Sequence, residues 1–192
     1  MREQILSSAT LLFIEHGYFG SSMRQIAESV GVTKAALYYH FKDKEDLFLA
    51  ILETYLEKVE ALIVEIQNEN STCSEKITLL ANRILDQPVD QRAIIRLASQ
   101  EMSHLNAESK KSFGDLYHTR FIQRIERMLE AGIQNKKFRA MDPKVAAWSL
   151  LGLMYPYFYP VHSNDISLTT DAIDQLISIF LSGVSSKKGS NL

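Results

Sequence analysis

The segment Ser21–Phe41, SSMRQIAESVGVTKAALYYHF, decides how this chain is read. Ser22 precedes Gln25 at the spacing of a capping box, which predicts a helix over Met23–Ser29. Ile26, Ala27 and Val30 form its inner face, and Gly31 turns the chain. Thr33 then caps a second short helix, Lys34–His40. Two short helices joined by a tight, glycine-containing turn make a helix-turn-helix. Val32, Leu37 and Phe41 complete its apolar interior, and the small Ala27 lets the two helices approach closely.

The outer face of the second helix carries Thr33, Lys34, Tyr38, Tyr39 and His40. A solvated helix face normally shows charges rather than adjacent tyrosines, so one of Tyr38 and Tyr39 is expected to be partly core. Phenolic hydroxyls, an imidazole and the ammonium groups of Lys42 and Lys44 suit phosphate oxygens. Thr33, Lys34 and Ala36, near the helix N-terminus, are placed to meet base edges in a major groove. Taken alone, Lys42 and Lys44 describe only a solvated loop.

Upstream, Ile5, Ala9, Leu12 and Phe13 share one face of a helix over Arg2–His16, and Gly17 supplies a left-handed C-terminal cap. Downstream, Asp43 caps a helix that continues through Leu47, Ile51, Tyr55, Val59, Leu62 and Ile66 to about Asn68. The polar stretch Glu69–Cys73 is a boundary. Five further helices are expected, at about 75–86, 91–104, 107–135, 143–158 and 170–184, punctuated by Pro88, Asp90, Asn106, Asp142 with Pro143, and Thr170. Pro156 and Pro160 disfavour helix at Tyr155 and Tyr159, so the helix over 143–158 is expected to kink or stop there. The tail from Ser185 is expected to fray.

Bulk properties narrow the function classes. The 192 residues are 46% hydrophobic with only 8 Gly and 4 Pro, enough for a sizeable helical core. The net charge is −2, so a nucleic-acid partner is not written in the overall charge. Residues 1–50 hold five cations (Arg2, Arg24, Lys34, Lys42, Lys44) against six acids, so any DNA surface is a local patch. The single Cys73 excludes an intrachain disulfide and fits a reducing cytoplasm. The start is amphipathic rather than a signal peptide. The apolar run Val145–Val161 is short and interrupted by Ser149, Gly152, Pro156 and Pro160, so it reads as a buried helix and not a membrane span.

No glycine-rich phosphate loop, nucleophile–base pair or strong metal motif is present, so the chain reads as a non-enzyme without a cofactor. Glu101 with His104, and Asp115 with His118, pair a carboxylate with an imidazole three residues apart. Polar groups near a helix junction explain these pairs better than a metal site.

In order and spacing these residues resemble the TetR/AcrR family, over Ile5–Phe48. The matching positions are Ala9, Leu12, Phe13, Gly17, Tyr18, Ile26, Ala27, Gly31, Val32, Thr33, Leu37, Tyr38, His40, Phe41, Lys44 and Leu47. Ser22 stands where the family usually has Thr and keeps the capping hydroxyl. The resemblance implies an all-α protein of about nine helices: a helix-turn-helix DNA-binding domain over residues 1–46 and a regulatory domain over 47–192. It implies phosphate contacts from Tyr38, His40 and Lys44, and from Ser22 and Thr33 with their helix N-terminal amides. Lys34, Ala36 and Tyr39 fall where the family reads bases.

The implied partners are double-stranded operator DNA, a small-molecule effector and a second copy of the chain. The helix near 143–158 is apolar nearly all round, and the helix near 170–184 carries Ile179 away from its main apolar face. Two such helices from each of two chains close a four-helix bundle, so a homodimer on a palindromic operator is expected. The family's internal pocket maps onto Leu97, Glu101, His104, Phe113, Tyr117, Phe121, Trp148 and Tyr155, a mixture that suits an apolar or aromatic effector. The expected function is therefore a ligand-responsive repressor. The alternative is a small-molecule-binding or protein-interaction module with a non-functional helix-turn-helix, which the low basic charge of residues 1–50 alone supports.

Overall fold

A computed structural model describes residues 1–159 and 169–186. The described chain is all-α, with helices α1 (Arg2–Gly20), α2 (Met23–Val30), α3 (Lys34–His40), α4 (Lys44–Asn68), α5 (Cys73–Leu85), α6 (Val89–Glu101), α7 (Ala107–Tyr117), α8 (Gln123–Gln134), α9 (Pro143–Met154) and α10 (Thr170–Val184). A π-helical turn, His118–Ile122, joins α7 to α8 without a break. Counting that continuous rod once, the described residues hold nine helices. None of their helices is long and apolar enough to cross a membrane.

The helix boundaries follow local chemistry. Gly17 leaves the helical conformation (φ 74, ψ 171), as its sequence position requires, but the chain resumes a helical turn and α1 runs on to Gly20. Asp43 Oδ1 accepts the Asp46 N–H at 2.8 Å, capping α4. The α5 helix starts at Cys73, two residues before the expected position, because Thr72 and Glu75 build a full capping box. That box depresses the Glu75 pKa, chiefly through its hydrogen bond from the Thr72 backbone. The α6 helix gives way at Met102 to a 3-10 turn over Met102–His104. Asp142 caps α9 with Pro143 in its first turn. The helix ends at Met154 and the chain tightens into a 3-10 turn, Tyr155–Phe158, around Pro156. Thr169, one residue before the expected Thr170, caps α10. Pro160 and residues 187–192, on which the kink and fraying expectations partly rest, lie outside the described residues.

The chain divides into two compact units, and α4 passes from one to the other. The first holds Met1–Lys58 and Pro88–Leu116. In it α1 packs against both α2 and α6, so the packing unit reaches past residue 46 to include α6. Ile5, Ala9, Phe13, Ile26, Leu37, Leu47 and Phe48 are fully buried there. The Phe13 and Phe48 rings meet edge to face at 5.7 Å.

The second unit holds Val59–Gln87 and the chain from Tyr117 onward. Here α8 packs on α5 and α9, and α10 packs on α5 and α9. Phe138 is 2% exposed and lies so close to Gly132 that a β-carbon there would fall 2.2 Å from its ring. The turn that delivers Phe138 needs Lys136 at φ 56, and the Lys137 and Phe138 N–H groups both donate to the Gly132 carbonyl. Arg139 N–H then donates to Val184 O at 2.8 Å and Ser186 N–H to Lys137 O at 3.0 Å, which ties Ser186 to the unit.

Candidate nucleic-acid interface

The helix-turn-helix is set by its caps. Ser22 Oγ accepts the Gln25 N–H at 3.3 Å, while Ser22 N–H donates to Gln25 Oε1 at 2.9 Å. Gly31 closes α2 in the left-handed conformation (φ 74, ψ 30). Thr33 Oγ1 accepts the Ala36 N–H at 3.1 Å. With seven residues, α3 is too short to hold itself in water. Its cap and the fully buried Leu37 anchor it to the unit.

What α3 leaves outside is mostly polar. Tyr39 is 86% exposed and Tyr38 46% exposed, so neither is buried in the core. Tyr39 stands almost wholly in solvent, while about half of the Tyr38 surface is covered. Thr33 and Lys34 are exposed, and Ala36 and His40 are half-buried. The His40 ring lies 5.3 Å from Tyr39 and 6.5 Å from Phe41, which fixes it at the C-terminal end of α3. Arg2 reaches the same end, with its guanidinium 5.3 Å from the Phe41 ring centroid. Sequence reasoning passed over Arg2. Its only signal was a cation at the start of the first helix.

Lys44 is placed differently from the other expected DNA contacts. It is half-buried, and its Nζ donates to Tyr18 O at 2.7 Å and to Ser21 O at 3.0 Å. The ammonium sits 4.2 Å from the Tyr18 ring centroid. Two of its three donors are thus spent on main-chain carbonyls. Burial lowers its pKa, and the charge of Glu101 opposes that shift.

The expected effector residues divide between the units. In the first, Leu97 and Phe113 are buried. Glu101 Oε1 accepts the Tyr18 N–H at 3.3 Å, and His104 Nε2 lies 4.0 Å from Glu101 Oε2. In the second, Phe121 is buried in the π-helical turn, and the Tyr117 ring lies 5.3 Å from it. Burial pushes the Tyr117 phenol up to about 12. Trp148 stands 56% exposed on α9 and Tyr155 47% exposed beyond it, its hydroxyl bonded to that of Tyr159 at 2.5 Å.

The family profiles divide the chain by sequence order, not by unit, since the second takes in Pro88–Leu116 of the first unit. Residues 5–51 match the profile of the bacterial regulatory proteins of the tetR family, and residues 70–156 match that of the tetracyclin repressor-like C-terminal domain. The chain is 39% identical over 64 residues to the HTH-type transcriptional repressor AcnR of Corynebacterium diphtheriae, a match spanning 33% of this chain and 34% of AcnR. It is 25% identical to the repressor KstR2 of Rhodococcus jostii over 96% of this chain and 91% of KstR2. In structure it is similar to AibR in complex with isovaleryl coenzyme A and operator DNA, with a TM-score of 0.75 and 24% identity over 96% of this chain and 97% of AibR.

Proposed function

Since the chain belongs to the tetR family of bacterial regulatory proteins, we propose that it is a cytoplasmic, ligand-responsive transcriptional repressor that grips a palindromic operator as a homodimer. The observation that carries the reading is the outer face of α3: two exposed tyrosine hydroxyls, an imidazole and Lys34, on a seven-residue helix built around one fully buried leucine. Tyr38, His40, Ser22 and Thr33 are assigned to phosphates, and Lys34, Ala36 and Tyr39 to base edges. Arg2 joins the phosphate set. The reading gives the chain no catalytic role.

The dimer reading draws support from α9 and α10, which pack together within the second unit. Val145 is 63%, Trp148 56%, Leu153 37% and Ile179 65% exposed, and Ser149, Gly152 and Gly183 beside them leave room for close approach. An exposed apolar strip of this kind marks a protein interface. Trp148 is therefore reassigned from effector pocket to dimer face.

The part of the effector that enters the second unit is apolar or aromatic, as the acyl chain of a thioester is. AibR carries isovaleryl coenzyme A, which makes acyl thioesters the first class to try. Tyr117 and Phe121 flank a π-helical turn, a distortion common at functional sites, and are the second unit's best effector contacts. The α4 helix contributes residues to both units, and it is the element assigned to couple effector to operator. The test is selection from random duplexes followed by titration with acyl-CoA esters. An enriched palindrome released by an ester supports the reading, and an unenriched pool contradicts it.

A further inference from the structure

In the last turn of α1, past the break at Gly17, the backbone of one residue is held from both sides. Gly17 breaks the helical hydrogen-bond run at φ 74, and the next N–H, that of Tyr18, donates to Glu101 Oε1 at 3.3 Å. The carbonyl of the same residue accepts Lys44 Nζ at 2.7 Å. Glu101 is the last residue of α6, and its side chain is only 15% exposed. Lys44 is the first residue of α4. The two bonds fall on the consecutive peptide groups that flank the Tyr18 α-carbon, so together they fix the backbone on both sides of that residue.

The grip extends to the residue that starts the helix-turn-helix. Ser21 is 2% exposed, its hydroxyl donates toward Leu12 O and Gly17 O at 3.0 Å each, and its carbonyl takes the second Lys44 bond at 3.0 Å. Ser22 follows at once as the α2 cap. His104 backs Glu101, and the Phe19 ring packs edge-on to His104 at 4.7 Å.

Building on the DNA-binding reading, we propose that Lys44 and Glu101 are positioning residues for operator binding, acting through the Tyr18 backbone rather than by touching DNA. Lys44 then departs from the phosphate contact that its sequence position implies. The grip fixes where Ser22 and α2 begin, and α6 acquires a direct hold on the recognition unit through its final carboxylate.

The two roles differ in sign and in salt dependence. Loss of an acid near a polyanion site strengthens binding by simple electrostatics, whereas loss of Glu101 from this grip weakens it. Loss of a phosphate-bound lysine flattens the dependence of log K on log salt by about 0.9, whereas loss of a positioning lysine leaves the slope unchanged.

The experiment measures affinity for the duplex enriched from a random pool, across salt concentrations. It compares the wild type with Lys44→Met, Glu101→Ala, Glu101→Gln and the Lys44→Met/Glu101→Ala double variant. Lys44→Met and Glu101→Ala each weaken operator binding about tenfold, the size expected for a charge-assisted hydrogen bond, with the slope unchanged. Glu101→Gln, whose amide oxygen accepts the same N–H, recovers most of the loss. The double variant is no weaker than the worse single one. A slope reduced by about 0.9 in Lys44→Met, or an unchanged or tighter Glu101→Ala, overturns the proposal.

Hydrogen exchange on the DNA-free proteins judges the grip separately. Tyr18–Ser22 amides exchange faster in Glu101→Ala and Lys44→Met while Leu37 stays protected, and unchanged exchange at Tyr18 overturns the grip. An unenriched pool in the wild type instead refutes the DNA-binding reading, and with it the positioning role.

Discussion

Helices α3 and α9 both turn aromatic surface toward solvent, two tyrosines on the first and Trp148 on the second, and the chemistry around those residues separates their uses. On α3 the exposed rings end in hydroxyls, beside an imidazole and Lys34. On α9 Val145, Trp148 and Leu153 offer carbon surface spaced by Ser149 and Gly152. Polar-tipped aromatics with cations suit a hydrated polyanion. An indole and aliphatic side chains with small residues between them suit another protein surface. Exposure alone therefore does not distinguish a nucleic-acid face from a dimer face; the atoms at the tips do.

The largest expected effect comes from putting a charge on the α9 face. Trp148→Glu should cost the dimer about 3–5 kcal/mol, the penalty of an unpaired buried charge, and shift sedimentation to a monomer at micromolar protein. Operator affinity should fall with it, since two half-sites need two recognition helices. A Trp148→Glu protein that remains a dimer separates α9 from the interface.

Next is alkaline unfolding, which sharpens the contrast between buried and exposed tyrosines. The folded-state pKa of Tyr117, about 12, lies above its ordinary value of 10.0. Its contribution is therefore complete below pH 10 and is lost as pH rises toward 12, about 2–3 kcal/mol in all. Denaturant midpoints measured from pH 9 to 12 should fall over that window in the wild type and fall less in Tyr117→Phe.

Gly132→Ala places a β-carbon against the Phe138 ring and should destabilise the second unit by about 1–3 kcal/mol, read as a lower Tm, while isolated duplex contacts on α3 are untouched. Lys34→Ala should change which duplexes are preferred, by about 1–3 kcal/mol at the affected base pair, with little change in stability. Arg2→Ala should have the smallest effect: a nearly uniform loss across sequences and a salt slope lower by about 0.9.

The comparison also marks what the sequence could disclose. Caps are local, so Ser22 with Gln25, Gly31, Thr33, Asp43 and Asp142 with Pro143 were legible within a few residues of text. Pro156 likewise announced the end of α9. The capping box of Thr72 and Glu75 was equally local and was overlooked, which misplaced the start of α5 by two residues.

Long-range pairings were not legible. Nothing in the spacing of Lys44 says that its ammonium turns to carbonyls of residues 18 and 21, and nothing around Glu101 names the Tyr18 N–H, 83 residues away, as its donor. An apolar helix does not state which of its sides a neighbour covers, so Trp148 read as a pocket residue before it was found exposed. The π-helical turn at His118–Ile122 left no mark in a helical pattern that runs through it unbroken.

Helices α3 and α9 meet different partners, and hydrogen exchange with and without the selected duplex tests both at once. The account predicts that DNA slows exchange at Ser22 and at the exposed turn of α3, Thr33–His40, while Val145–Leu153 is already protected in the DNA-free dimer and does not change. Protection gained by α9 on adding DNA, with α3 unaffected, would contradict it.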